Sequence, residues 1–452
     1  MSPPRTSADV DDRSDGIPVS DPAPASPAAS STLPHHVTTT LAELRRRAEK
    51  PRVRFGLCAL AVTAWSVWGY LRLRPPAGVA LANGHVKGYH TWSFAHLAYS
   101  DLPWLYQEHG FYTHGIPYIH VPIEYPVVTG VFAWLTAWFP GVQGYFLANV
   151  IAEWAMAIGV LWLLYKLVPQ RYYLFAISPL LLVYLFLNWD ILGIFLMLLA
   201  YKLYSDKRWS ASGAVFSLAV FAKLFPIFYL PFIAAQLWRD GSRKPLRKMA
   251  TSFSAVSIVI NAPFMILGFH NWQTFYTFNA SRGGKGIAIA AVDAVTFMIV
   301  LAALLLLVRH VLHGGSVPRA SAFAFAVFLM VNKVFSPQYM LWLLAFALLA
   351  EWPVWTSWVL AGGGAIDYVN SFTYLHFAWS PTRHTVPSHL GATARWYIAQ
   401  LYDYGIAARY LAILTSTIGA AFSQRRERSS ESCHPQAADP LQVRGSPSQR
   451  SG

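Results

Sequence analysis

Apolar runs long enough to cross a bilayer recur along this chain, and they limit its folds more than any other feature. A helix crosses the hydrocarbon core with about 20 consecutive apolar residues. Lipid offers no hydrogen bonds to the backbone, so a crossing segment is a helix or part of a closed barrel. The pattern predicts an all-α, polytopic transmembrane helix bundle of about 10–13 spans. The runs lie at residues 54–73, 126–141, 144–166, 172–187, 190–204, 209–222, 224–238, 249–268, 286–309, 320–332, 339–351, 353–376 and 394–421.

Composition and charge agree with a membrane protein. The chain is 55% hydrophobic and only 12% charged, whereas about 25% of the residues in a soluble domain are charged. The net charge of +14 falls in short clusters beside the apolar runs, as the positive-inside rule expects of cytoplasmic loops. Membrane lipids are therefore predicted partners, and nucleic acid is not. The clusters lie at residues 45–54, 207–208, 239–248 and 425–428.

The basic clusters also orient the chain and divide it into three parts. Residues 1–53, rich in Pro, Ala, Ser and Asp, are predicted to form a disordered cytoplasmic N-terminal tail. Residues 54–421 form the predicted transmembrane domain, and residues 422–452 a disordered cytoplasmic C-terminal tail. The predicted location is the plasma membrane. The loops on its extracytoplasmic side are 74–125, 269–285 and 377–393.

The topology contains one disagreement of parity. The chain leaves an outer loop at residue 125. If the runs 126–141, 144–166 and 172–187 each cross the membrane once, Lys166 and Lys207 are not both on the inner side. Because both residues are basic and both follow apolar runs, the positive-inside rule expects them on the cytoplasmic side. The disagreement predicts that one of the three segments is re-entrant or is not a span.

The first outer loop, residues 74–125, is the predicted location of an active site. Long ordered loops are usually functional, since simple connections are short. Asp101 precedes a Pro-containing turn, which fits a helix N-cap and equally a general base. Glu124 stands where the chain re-enters the bilayer, which fits a helix dipole contact or an acceptor-binding carboxylate.

Further polar groups occur at the ends of apolar runs, where they are costly and mark candidate sites. Asp190 opens the run 190–204, as a cap or as part of a sugar-binding Asn-Trp-Asp corner. Lys223 and Lys333 lie at run ends on the proposed outer side, and Arg282 lies in an outer loop. These cations either snorkel to the interface or neutralise a lipid phosphate.

Cysteine and histidine spacing predicts no metal site and no disulfide. The two cysteines are Cys58 and Cys433, one in the first run and one in the tail. The chain also contains no P-loop, no dinucleotide-binding turn and no nucleophile elbow. No cofactor is predicted. The histidines in or beside the outer loops form no compact ligand pattern; they are His109, His114, His120, His270, His376, His384 and His389.

Five motifs in this order resemble those of actinobacterial polytopic glycosyltransferases of the GT-C type, close to glycosyltransferase family 87. The resemblance covers roughly residues 54 to 420. The motifs are Ser100-Asp101, Pro117-Tyr118 with Glu124-Tyr125-Pro126, Asn188-Trp189-Asp190, Ala222-Lys223-Leu224-Phe225-Pro226 and Lys333-Val334-Phe335-Ser336-Pro337-Gln338-Tyr339.

The resemblance implies an α-mannosyltransferase that uses a polyprenyl-phosphate-mannose donor, which is a substrate and not a cofactor, and a glycolipid or lipoglycan acceptor. Such enzymes carry an essential Asp in the first outer loop, and Asp101 matches it. His120 departs from the family pattern, in which an acidic residue precedes Glu-Tyr-Pro, and leaves the acceptor side open.

The predicted site residues fall into three groups. Asp101 is the first candidate for the general base and Glu124 the second. The residues predicted to offset charge on the donor phosphate are Lys223, Lys333 and Arg282. Those predicted to bind the sugar or acceptor are Tyr118, Tyr125, Asn188, Trp189, Asp190, Gln338 and Tyr339.

A transporter or lipid flippase is the main alternative. Proline-broken helices, expected near Pro226 and Pro337, are common in transporters. The block from Asp101 to Glu124 has no counterpart in the second half of the chain, however, whereas such transporters often contain internal repeats. A scaffold has no need of these carboxylates and lysines. Arabinose or glucose on a polyprenyl phosphate would require the same residue types as mannose.

Overall fold

A computed structural model describes residues 51–76, 87–282, 287–379 and 392–433. All regular elements within these ranges are helices, so the predicted all-α class is confirmed for them. Most of the two predicted tails lies outside the described residues, and their disorder stays a prediction. The last helix continues past residue 421 to Cys433.

The first half of the chain alternates long helices with very short ones. A 3₁₀ turn at Phe111–Thr113 follows the third helix. The helices are α1 (Pro51–Leu73), α2 (Lys87–Ala95), α3 (Asp101–Glu108), α4 (Val127–Thr136), α5 (Gly141–Leu167), α6 (Tyr173–Ala176), α7 (Pro179–Tyr184), α8 (Asp190–Ser205) and α9 (Trp209–Ala222).

The second half begins with a second 3₁₀ turn, Phe225–Tyr229. It contains α10 (Leu230–Arg239), α11 (Arg243–Leu267), α12 (Phe269–Trp272), α13 (Thr274–Ser281), α14 (Ile287–Leu312), α15 (Val317–Val331), α16 (Tyr339–Leu349), α17 (Val354–Trp379) and α18 (Ala392–Cys433). Every residue of α16 from Met340 to Leu349 is buried, and a helix that is apolar on all faces belongs in a core.

Five helices are long and apolar enough to cross a membrane, judged by length and composition within the described residues. They are Pro51–Leu73, Gly141–Leu167, Arg243–Leu267, Ala291–Leu312 and Trp396–Ser423. Shorter apolar helices, α4, α9, α15 and α16, lie among them. The prediction of an apolar helical protein holds, and the higher span count stays a prediction.

Two predicted runs are not single helices because proline interrupts them, and the break near Pro226 was expected. The run 172–187 breaks into α6 and α7 at Ser178, which precedes Pro179 and caps α7 by accepting from the Leu180 amide at 3.3 Å. A residue before proline is driven out of the α region. The run 224–238 likewise begins as the 3₁₀ turn containing Pro226 before α10 starts.

The two basic turns in the parity disagreement lie at one end of the bundle. Lys166 at the end of α5 and Lys202 near the end of α8 line a common cavity, and Lys207 follows α8 closely. A helix of 16 residues is about 24 Å long, which places Asp190 at the far end of α8. The chain therefore returns along the length of α8, from Arg171 to Asn188, through α6 and α7.

Helix α4 is too short to cross the hydrocarbon core by itself. Its 10 residues extend about 15 Å, half the thickness of the hydrocarbon core. Near its end, Trp134 Nε1 donates to the His114 carbonyl of the preceding loop at 3.1 Å. Pro140 is then the N-cap of α5, and Gly141 is its first residue, with a φ of +69°. The helix within the run 126–141 is thus shorter than a span, and a non-crossing α4 is consistent with both basic turns on one side of a membrane; the topology itself stays a prediction.

Gly130 in α4 permits close contact with the first outer loop. A Cβ at this position would overlap the Tyr118 side chain, whose buried hydroxyl donates to the carbonyls of Tyr125 and Pro126, both at 2.9 Å. The absence of a side chain at Gly130 thus fixes the path of the chain just before α4.

We predict that Gly130→Ala lowers stability by about 1–3 kcal/mol, because overpacking displaces Tyr118. Gly56→Ala in α1 is the matched control, since a Cβ there meets no described atom within 4 Å. Both changes add the same helix propensity. The measurement is the thermal unfolding midpoint in detergent, and equal midpoints for the two variants would refute the contact.

Candidate functional site

A cavity with a volume of ≈ 1370 Å³ lies beside residues 87–126, most of which belong to the predicted first outer loop. Its polar wall includes carboxylates and histidines from the loop and a lysine from the end of α9, namely His90, Asp101, Glu108, His109, Glu124 and Lys223. An apolar wall comes from the second 3₁₀ turn and helices α10, α14 and α15, with Ile227, Phe228, Pro231, Val300, Leu304 and Phe328. The cavity is therefore amphiphilic.

The start of α3 places Asp101 in this wall. Ser100, and not Asp101, is the N-cap: its Oγ accepts from the Leu102 amide at 3.2 Å and donates to the Phe186 carbonyl at 2.7 Å. The Asp101 amide donates to the Leu187 carbonyl at 2.8 Å. The capping interpretation of Asp101 is thus wrong, and its carboxylate is available for other contacts.

Two donors hold the Asp101 carboxylate in place. The Tyr99 hydroxyl donates to Oδ1 at 2.7 Å, and Asn188 Nδ2 donates to Oδ2 at 2.7 Å. Burial raises the pKa of Asp101, although these two hydrogen bonds and the nearby Lys223 charge act to lower it. A carboxylate with a raised pKa is a stronger proton acceptor than an exposed one.

Asn188 connects Asp101 to a buried ion pair. Its Nδ2 also donates to the Tyr125 hydroxyl at 2.6 Å, and its Oδ1 accepts from Lys223 Nζ at 3.0 Å. Lys223 Nζ lies 3.2 Å from Asp190 Oδ1, which also accepts from Trp342 Nε1 at 2.7 Å. Asp190 is fully buried, so its carboxylate binds its partners in the core and does not cap α8.

Lys223 is a member of this network and of the cavity wall. It is 9% exposed, and its Nζ lies 5.0 Å from the centre of the Tyr125 ring. Its backbone is extended, with φ −148° and ψ 139°, which ends α9 before the Pro226 turn. One ammonium group thus balances the charge of Asp190 and lies near Asp101.

The other two predicted phosphate-binding cations also line the cavity. Lys333 Nζ forms an ion pair with Asp293 Oδ2 at 2.8 Å. Arg282 Cζ lies 5.5 Å from the centre of the Phe278 ring. The structure thus brings all three predicted cations to one cavity, where the negative charge of Asp293 offsets that of Lys333.

The predicted sugar-binding residues separate into two sets. Tyr125, Gln338 and Tyr339 line the cavity, as does Glu124. The remaining four, Tyr118, Asn188, Trp189 and Asp190, lie behind its wall. Trp189 is buried and donates from Nε1 to Asn149 Oδ1 at 2.8 Å, with its ring edge-on to Tyr125 at 5.4 Å.

Sequence reasoning missed Glu108, the second carboxylate of α3. It follows Asp101 by seven residues, about two helical turns, so both side chains lie on one face. That spacing was the available signal. Burial raises the pKa of Glu108, and the neighbouring charge of Glu124 raises it further. Glu124 Oε2 in turn lies 2.7 Å from His109 Nε2.

Aromatic and cationic residues of the cavity wall were also missed. The His90 and Trp104 rings lie 4.2 Å apart, and burial lowers the pKa of His90 to about 4, which favours the neutral imidazole. Arg409 of α18 reaches the cavity from the far end of the sequence. Its position in the middle of the apolar run 394–421 was the sequence signal for it.

No metal centre is visible in the described ranges, where no group of three or more His, Cys, Asp or Glu side chains is arranged to hold an ion. His384 and His389 lie outside the described residues. The cavity combines a partly buried carboxylate, several cations and an apolar wall. Such a set suits proton removal and charge neutralisation next to a lipid chain.

We predict that Lys223→Met destabilises the protein by about 3–5 kcal/mol, because it leaves the buried Asp190 carboxylate without its cation. The double variant with Asp190→Asn removes both charges and should recover much of the loss. Thermal unfolding of both single variants and the double variant completes a double-mutant cycle. Additive losses would show that the two residues are not coupled.

Comparison with known proteins adds no assignment. No protein-family model matches the chain, and no curated protein sequence matches it. Functional inference therefore depends on the cavity and its side chains.

Proposed function

We propose that this protein is a membrane glycosyltransferase of GT-C type that moves a sugar from a polyprenyl-phosphate donor to a hydroxyl group of a cell-envelope acceptor. The observation that supports this most is the partly buried Asp101 carboxylate, held by Tyr99 and Asn188 in the polar wall of an amphiphilic cavity. Mannose is the proposed sugar and a glycolipid or lipoglycan the proposed acceptor. We place the reaction on the outer face of the plasma membrane.

The cavity suits a lipid-linked donor in size and chemistry. Its ≈ 1370 Å³ exceeds the ordinary range of about 300–1,000 Å³ for small-molecule pockets. The apolar wall between α10, α14 and α15 can take a prenyl chain, because sites in helix bundles lie between facing helices. The carboxylates and aromatic rings of the polar wall match sugar hydroxyls and sugar faces.

The proposed mechanism is a direct displacement. Asp101 takes the proton of the acceptor hydroxyl while the acceptor oxygen bonds to the anomeric carbon. The bond from that carbon to the phosphate oxygen breaks, and polyprenyl phosphate leaves with the electron pair. Lys223 stabilises the negative charge that develops on the phosphate. Inversion converts a β-linked donor into an α-linked product.

A transporter or flippase is the second candidate, favoured by the broken helix at the cavity. The 3₁₀ turn Phe225–Tyr229 separates the α-helices α9 and α10 and supplies Ile227 and Phe228 to the cavity wall. Irregular backbone that lines a cavity is a feature of transporters. Transport leaves its substrate unchanged, so product analysis separates the two functions.

We predict that Asp101→Asn lowers sugar transfer about 10²–10⁴-fold, because an amide cannot accept the proton. The assay uses purified protein in nanodiscs, radiolabelled polyprenyl-phosphate mannose and a membrane-lipid extract as acceptor. Asp206→Asn is the control, since this exposed carboxylate pairs with Lys202 at the opposite end of α8 and should leave transfer unchanged.

Three results would contradict this proposal. Full transfer by Asp101→Asn would remove the residue from the role of base. Equal loss in Asp206→Asn would attribute the effect to folding. No transfer by the native chain from mannose, glucose or arabinose donors, with acceptor present, would favour transport instead.

We also predict that Tyr99→Phe shifts the pH dependence of transfer. Removing the hydroxyl that donates to Asp101 destabilises the charged carboxylate, so the pKa of Asp101 rises further. The base acts only when deprotonated, and therefore the acidic limb of the kcat/KM profile should move to higher pH. Tyr112→Phe, an exposed tyrosine of the same loop, is the control. An acidic limb that stays in place or moves to lower pH would refute the role of Tyr99.

A further inference from the structure

Arg409 is a buried cation in the wall of the main cavity that the proposed mechanism leaves unused. It lies on α18 and is 5% exposed, yet it lines the cavity. An arginine in an apolar helix is costly and by default marks a functional site. The contacts of its guanidinium group indicate the kind of ligand that it can bind.

One side of the guanidinium group is fixed by Asp367 of α17. Arg409 Nη1 donates to Asp367 Oδ2 at 3.1 Å, and Ser371 Oγ donates to Oδ1 of the same carboxylate at 3.0 Å. Gly405 allows the two helices to approach, because a Cβ there would lie 3.1 Å from Asp367 Oδ1. Asp367 is fully buried, so the orientation of the arginine is rigid.

The guanidinium group also keeps a donor that no described residue binds. Its Cζ lies 4.2 Å from the centre of the Phe335 ring, within the segment that also supplies Gln338 to the cavity wall. The buried Nε has no hydrogen-bond partner among the described residues. A guanidinium carries five N–H donors in a planar fork that matches phosphate. A fold that needed only stability would be as well served by an apolar pair at this position.

Arg409 lines the same cavity as the proposed base and is connected to it through intervening residues. Ser371, which holds Asp367, is followed by Phe372, whose ring stacks on Tyr99 at 5.3 Å. Tyr99 donates to Asp101. One continuous set of contacts therefore joins the guanidinium group to the carboxylate that would remove the acceptor proton.

We propose that Arg409 forms an anion-binding subsite that takes the phosphate or phosphodiester group of a membrane-lipid substrate. Lys333 is paired with Asp293 and Lys223 with Asp190, whereas Arg409 keeps a buried donor free of any described partner. The interpretation of this anion as part of a substrate rests on the proposed function. Its source is either the lipid donor or an anionic acceptor headgroup.

The first test measures binding and needs no turnover. Farnesyl phosphate and farnesol are titrated into the protein in nanodiscs, and the native chain is compared with Arg409→Met/Asp367→Asn. The double variant leaves no unpaired buried charge. We expect its apparent Kd for farnesyl phosphate to rise about 10–100-fold, which is the effect of losing charge-assisted hydrogen bonds, and its Kd for farnesol to stay the same.

The control removes a different ion pair. Lys202→Met/Asp206→Asn has the same net charge change at the opposite end of α8 and should bind both probes like the native chain. Arg409→Lys keeps the charge but loses the fork, and we expect an intermediate Kd. Native affinity for farnesyl phosphate in the Arg409→Met/Asp367→Asn variant, with an unchanged unfolding midpoint, would overturn the subsite.

Transfer kinetics then identify the source of the anion. A higher KM for the donor alone assigns the phosphate to the donor, and a higher KM for an anionic acceptor alone assigns it to the acceptor. Because the binding test uses no sugar, loss of farnesyl phosphate binding in the double variant supports the subsite even if the native chain transfers no sugar. Failure of the anion-binding subsite can therefore be distinguished from failure of the proposed transferase function.

Discussion

The amide of Asn188 is the contact on which the geometry of the site depends. It donates to Asp101 and Tyr125 and accepts from Lys223, so one side chain joins the first outer loop, the start of α8 and the end of α9. An amide can do this because it carries donors and an acceptor on one planar group. A carboxylate at position 188 would repel Asp101, and a hydroxyl would be too short to reach all three partners.

The breaks in the apolar helices give this amide its position. A continuous helix through 172–187 would carry its backbone hydrogen bonds internally and expose no corner. Pro179 divides the run, and the chain then reaches Asn188 as a turn whose carbonyls, at Phe186 and Leu187, bind Ser100 and Asp101. The loop and the corner are thus attached by both backbone and side chain, which keeps the carboxylate rigid within an otherwise apolar setting.

The sequence predicted the polar centre of the site better than its periphery. Asp101 and Lys223 were identifiable because charged groups beside apolar runs have few structural reasons to be there. The prediction could not tell the cavity wall from what lies behind it, so Trp189 and Asp190 were grouped with Tyr125. Burial direction depends on tertiary packing, here of Trp342 against Asp190, and such contacts between distant segments leave no local pattern. The predicted ends of helices differed from the observed ones where a proline interrupts the helix.

Two buried ion pairs, Lys223 with Asp190 and Arg409 with Asp367, lie beside the same cavity and differ in the chemistry of the cation. Both carboxylates, Asp190 and Asp367, are fully buried, so each pair bears a desolvation cost that stability alone does not justify. The Lys223 ammonium is a compact charge held by Asp190 and Asn188. Arg409 has a planar fork, of which Asp367 takes one edge. A lysine supplies a compact point charge, whereas the planar fork of an arginine matches the geometry of a phosphate. In the proposed scheme Lys223 is therefore a charge fixed by Asp190 and Asn188 that stabilises the leaving phosphate, and Arg409 is the group that binds an anion by its shape.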